Sequence, residues 1–187
     1  MDLQIATLIV TIALAFAGYL ITYLNNLRLN NRKEQLDLVT KRINEFYGPL
    51  YIASKAGETA HRSLLEKLGR TNKEDLFSFD SPPSEKELAE WRVWMESVFL
   101  MLNEFREKLI LENAHLIREE KMPAILLRFV THASAYRAML KRWEMGDFSE
   151  YNPSVPFPTE LTEYATNSYN ELKTEQLRLI GKRMPKS

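Results

Sequence analysis

Residues 3–24 read LQIATLIVTIALAFAGYLITYL, with no charged side chain among them. At about 1.5 Å per residue, a helix of this length crosses the roughly 30 Å hydrocarbon layer of a bilayer. A helix also satisfies its own backbone hydrogen bonds, which lipid cannot do. Tyr19 and Tyr23 lie near one end of the run. Amphipathic rings favour headgroup depth, so this end is expected at an interface. The reading is a single transmembrane helix, because no second apolar run of this length occurs in the chain. A secretory signal cleaved after Ala15-Phe16-Ala17 is the alternative. It fits less well, because the apolar stretch continues beyond that point and no basic residue precedes it.

The flanks orient the helix. Arg28, Arg32, Lys33, Lys41 and Arg42 fall within twenty residues after the run. The positive-inside rule then expects the N-terminus outside a cell membrane and the remaining residues in the cytoplasm. One face of the helix carries Thr7, Thr11, Ala15, Gly18 and Thr22, a small and polar stripe that permits close helix–helix packing.

The 187 residues carry 25 basic and 25 acidic side chains, for a formal net charge of zero. Such balance argues against a nucleic-acid partner, which a basic surface would attract by counterion release. With no cysteine, disulfide frameworks, thiolate metal sites and cysteine nucleophiles are excluded.

Beyond the membrane run the apolar residues repeat every three or four positions, as in helices. Leu36, Val39, Ile43, Phe46, Leu50, Ala53, Gly57, Ala60 and Leu64 form a heptad stripe that ends in a charge at Lys67. Gly48-Pro49 within it predicts a kink or a brief break, and Gly69 a stop. Ser84 and Glu87 form a capping box ahead of a second helix bearing Leu88, Trp91, Met95, Val98, Leu102, Phe105 and Leu109, expected to reach Glu119. A third helix carries Met122, Leu126, Phe129, Ala133, Tyr136, Leu140 and Trp143 and stops at Gly146. Residues 147–158 read as a connector laid across the helices, because Phe148, Tyr151, Val155 and Phe157 would otherwise face water. Thr159 is placed to cap a fourth helix with Leu161, Ala165, Ser168, Leu172, Gln176 and Leu179 on one side.

The predicted fold is all-α: a transmembrane anchor over 1–25, a helical stalk over 26–48, and an antiparallel bundle of about four helices over 49–187. Charge favours contact between the second and third helices. Residues 85–121 hold nine acids and six bases, and residues 122–145 hold one acid and four bases. Arg128, Arg137, Lys141 and Arg142 form a basic face expected to pair with the acidic second helix.

No phosphate loop, dinucleotide motif, HExxH or GxSxG occurs. Two Glu-x-x-His pairs, Glu58 with His61 and Glu112 with His115, have the spacing used by di-iron helical bundles. Chance also produces such pairs in a chain rich in Glu, and Glu112 falls on an apolar stripe. His132 lies beside the third helix's stripe and reads as a hydrogen-bonded core residue. Trp94 and Phe99 sit off the main stripe and are the expected partner surface. These features predict no catalysis and no cofactor. The expected activity is tethering: a membrane-bound helical scaffold that associates with itself, or with another membrane or cytoplasmic protein. An oligomerising, membrane-disrupting effector is the first alternative, and a ferritin-like metal enzyme using the two Glu-x-x-His pairs the second.

Overall fold

A computed structural model of the chain describes residues 3–71 and 76–181. Its regular secondary structure is all helical, with no strand among the described residues. Helix α1 spans Leu3–Arg42 and is followed without interruption by a π-helical turn, Ile43–Tyr47, and by α2, Gly48–Lys67. Helix α3 (Glu85–Trp94) passes through a second π-helical turn (Met95–Phe99) into α4 (Leu100–Glu112). A 3-10 turn, Ala114–Leu116, then leads to α5 (Ala124–Glu144) and α6 (Leu161–Leu179). Among the described residues, the apolar N-terminal helix is thus followed by four longer helical stretches.

The chain divides into two compact units, Met1–Thr40 with Thr174–Ser187, and Lys41–Lys173. In the first, the side chains described along the apolar run are exposed, including Leu8, Ile12, Leu14, Phe16 and Ile21, each at 60% or more. Their most apolar 18-residue window has mean hydropathy 2.0 and none of it is buried. Length and composition make this the one helix, among the described residues, able to cross a membrane. The far end of α6 is fastened to α1 in this unit. Arg32 Nε donates to the Leu179 carbonyl at 2.6 Å, and Gln176 Nε2 to Thr40 Oγ1 at 2.9 Å. A cation on the last carbonyls of a helix offsets the negative end of its dipole.

In the second unit the predicted stripes of α2, α5 and α6 become the core. Phe46, Leu50, Leu64, Leu126, Phe129, Leu161 and Ala165 are fully enclosed. Gly48-Pro49 ends no helix. The π turn absorbs the strain instead: the Gly48 N–H reaches back five residues to the Ile43 carbonyl. A Cβ at Gly48 would lie 2.5 Å from that carbonyl oxygen, so the turn requires glycine.

Helices end where local chemistry dictates. Gly69 and Gly146 adopt φ of +69° and +82° past the ends of α2 and α5. Ser84 caps α3 reciprocally, its Oγ accepting from the Glu87 N–H while the Glu87 carboxylate accepts from the Ser84 N–H at 2.7 Å. The second helical stretch stops at Glu112, not Glu119. The segment that follows turns back, and the Glu119 carboxylate accepts from the Tyr47 hydroxyl at 3.0 Å and the Tyr164 hydroxyl at 3.2 Å. Burial raises the pKa of both tyrosines, so their hydroxyls stay protonated donors.

The second stretch also departs from a straight helical register. Leu88, Trp91, Met95 and Leu109 are buried as expected, but beyond Met95 the inward positions also include Asn103, Arg106 and Ile110, which the stripe leaves out. Phe105, predicted as core, is 48% exposed. The π turn at Met95–Phe99 inserts one extra residue and rotates the following face by about one position, roughly 100°.

The connector is pinned by indole and imidazole nitrogens; Tyr151, Val155 and Phe157 are half-buried, but Phe148, expected to be covered, is 42% exposed. Trp91 Nε1 donates to Tyr151 O at 3.1 Å and Trp143 Nε1 to Glu150 O at 2.8 Å. His132 Nδ1 meets Val155 O at 2.8 Å, and a carbonyl only accepts, so Nδ1 carries the proton. The basic face of α5 pairs more widely than charge counting suggested. Arg137 reaches Glu107 of α4, but Arg128 pairs with Glu160, Arg142 with Glu150 and Lys141 with Glu144 on its own helix.

Candidate functional site

The rotated face of α4 turns a cation inward. Arg106 is 2% exposed, and α4 packs against α2 on one side and α5 on the other. Its Nη2 donates to the Ala53 carbonyl of α2 and its Nη1 to Asn103 Oδ1 at 3.1 Å. Gly57 makes the first of these contacts possible. A Cβ there would sit 2.2 Å from Nη2, so a mid-helix glycine is what lets the guanidinium lie on the α2 backbone. Phe129 and Phe157 flank the guanidinium carbon, with ring centroids at 5.8 and 5.9 Å.

No carboxylate among the described residues lies within ion-pair distance of Arg106, and its buried Nε has no hydrogen-bond partner. Desolvation alone acts on its charge and brings its pKa down to about 10, which leaves it cationic at neutral pH.

The guanidinium lines a cavity of about 780 Å³ within the second unit. Trp91, Met95, Phe99, Tyr136 and Phe157 supply apolar and aromatic walls. Thr162, Thr166 and Asn167 of α6 and Asn103 of α4 supply uncharged polar groups. The charged members besides Arg106 are Lys55, Glu58 and Glu163, and Lys55 is bonded to Glu58 at 2.9 Å. Met95 and Phe99 bound the π turn. The Met95 carbonyl there accepts from both Leu100 N–H and the Tyr136 hydroxyl.

The residues singled out in the sequence are distributed as follows. Thr11 and Thr22 hydroxyls donate to the Thr7 and Gly18 carbonyls of their own helix, each at 2.9 Å. Nothing lies within 4 Å of a Cβ built on Gly18. Thr7, Ala15 and the rest of this stripe are exposed. Trp94 and Phe99 are half-buried against the core cluster around Trp91. Trp94 Nε1 donates to Glu90 at 2.8 Å, and Phe99 reaches the cavity.

Glu58 is held by Lys55 and Arg62, and His61 lies edge-on to Trp91, centroid to centroid 6.3 Å. Glu112 is the last residue of α4 and pairs loosely with Lys108, while His115 is exposed in the 3-10 turn beyond it. The helix end between Glu112 and His115 removes the shared helical face on which their metal spacing depended. No group of three or more His, Asp or Glu side chains among the described residues is placed to hold a metal ion.

Arg106 and Gly57 were not legible as a site. A uniform helical period assigns Phe105 to the interior and Arg106 to its edge. The available signal was a glycine in the middle of a strong stripe, which marks close approach by another group.

Family models, characterised proteins and solved structures were compared with this chain, and none matches it.

Proposed function

We propose that the chain is a single-pass membrane protein whose cytoplasmic helices act by binding protein, itself included, and catalyse nothing. In this reading residues 3–24 sit in a cell membrane with the N-terminus outside, and the four helical stretches pack as an antiparallel bundle. The observation that carries it is the run of apolar side chains that no described residue of the chain covers. In water a contiguous apolar surface of this extent is unstable, and lipid removes the penalty.

Orientation is supported by the five basic residues that follow the run. Self-association is supported by the open surface at Ala15 and Gly18. Because Thr11 and Thr22 spend their hydroxyl protons inside the helix, close backbone approach at Ala15 and Gly18 would drive the contact, and not interhelical hydrogen bonds. Anchoring confines such contacts to two dimensions and raises the effective concentration.

Crosslinking of the full-length chain in intact membranes tests the proposal. A crosslinked homodimer or a discrete partner chain is expected, with the homodimer reduced in Gly18→Leu. A chain that stays monomeric and captures nothing at native expression contradicts it.

A further inference from the structure

Beyond tethering, we propose that the cavity beside Arg106 is a binding site for a small monocarboxylate with an apolar body, its anion held by the Arg106 guanidinium. The volume of about 780 Å³ falls within the roughly 300–1,000 Å³ usual for small-molecule sites. Its composition is also that of such a site: apolar walls with a few converging polar groups.

A buried cation is expensive unless it is paired. Arg106 has two neutral acceptors, Ala53 O and Asn103 Oδ1, for five N–H groups. A purely structural arginine, bracing α4 on α2, accounts for the contact with Ala53. It does not account for a guanidinium that is enclosed without an anion and without a partner at Nε–H, on a side chain that lines an open volume. A carboxylate accepts two parallel N–H bonds from a guanidinium and cancels its charge.

The surrounding charges select the valence of the ligand. Lys55 is engaged by Glu58, which leaves Arg106 as the cation of the lining without an anionic partner among the described residues. Glu163 also lines the cavity, and its carboxylate disfavours a dianion such as phosphate. Trp91, Phe99, Tyr136 and Phe157 offer flat faces and edges that suit an aromatic body. An aliphatic acid released from lipid presents the same carboxylate, and the test separates the two sources.

The full-length chain in nanodiscs is titrated with para-fluorophenylacetate, observed by fluorine NMR, beside the neutral fluorophenylacetamide, octanoate and inorganic phosphate. The acid is expected to bind at least about tenfold more tightly than its amide, the usual contribution of a charge-assisted bond. Octanoate binding more tightly than the probe would keep the carboxylate site and assign its ligand to fatty acids. Arg106→Met is expected to abolish binding. Thr162→Phe, which fills the cavity and leaves Arg106 in place, is expected to abolish it as well and keeps the test decisive should Arg106→Met fold poorly. Equal binding of acid and amide, binding of phosphate in preference to the acids, binding that survives Thr162→Phe, or no binding of either acid at millimolar concentration overturns the proposal. Crosslinking of the anchor is independent of all these outcomes, so the tether and the pocket fail separately.

Discussion

Gly57 and Arg106 show how one backbone position governs another residue's chemistry. Alanine ordinarily stabilises a mid-helix site by about 0.5–1 kcal/mol over glycine. At Gly57 the added methyl must displace the guanidinium, which costs a charged hydrogen bond of about 1.5–3 kcal/mol. Gly57→Ala is therefore expected to lower stability by about 1 kcal/mol in urea unfolding of the solubilised chain. A gain in stability would show that the guanidinium moves aside freely. Glu87 is the second residue with a measurable signature. Its bond to Arg70, followed by those to Ser84, brings its pKa down from 4.5 to about 2. The depressed value means that the stabilisation is complete above about pH 4.5 and is lost as pH falls towards about 2. The stability difference between the native chain and Glu87→Gln should be constant near neutrality and vanish across that window. Ser84→Ala should cost about 1 kcal/mol near neutrality.

At the scale of elements, most of the fold was legible because helical period, capping residues and glycine stops are local. The stripes of α2, α5 and α6, the Ser84 capping box and the Gly146 stop all follow from side chains a few residues apart. The π turn at Met95–Phe99 was not legible. A π turn depends on which carbonyl an N–H selects in the packed state, and no local residue type announces it. Missing it displaced the interior face of α4 by one position and concealed Arg106, and with it the cavity. The two registers make opposite predictions. Phe105→Ala should cost less than about 1 kcal/mol because the ring is half-exposed. Ile110→Ala, at 3% exposure, should cost about 2–5 kcal/mol. Denaturant midpoints of the two variants decide between the registers, and the reverse order would restore the uninterrupted helix. The loop after α2 carries a similar lesson: Leu76, which belongs to no helical stripe, is wholly buried in the core cluster around Trp91.

For the whole molecule, the composition averages concealed the main division. A net charge of zero and 45% apolar residues describe an ordinary soluble protein, yet the uncovered apolar residues are concentrated in α1. The account rests on lipid covering that helix. Because the chain has no cysteine, single cysteines can be introduced without background. The most direct measurement labels Leu14→Cys and Ser149→Cys with a water-soluble maleimide in permeabilised membranes. Both side chains are exposed on the protein itself, Leu14 at 68%. The account predicts rapid labelling at position 149 and protection at position 14 that detergent alone relieves. Equal labelling at the two positions before detergent is added would contradict it.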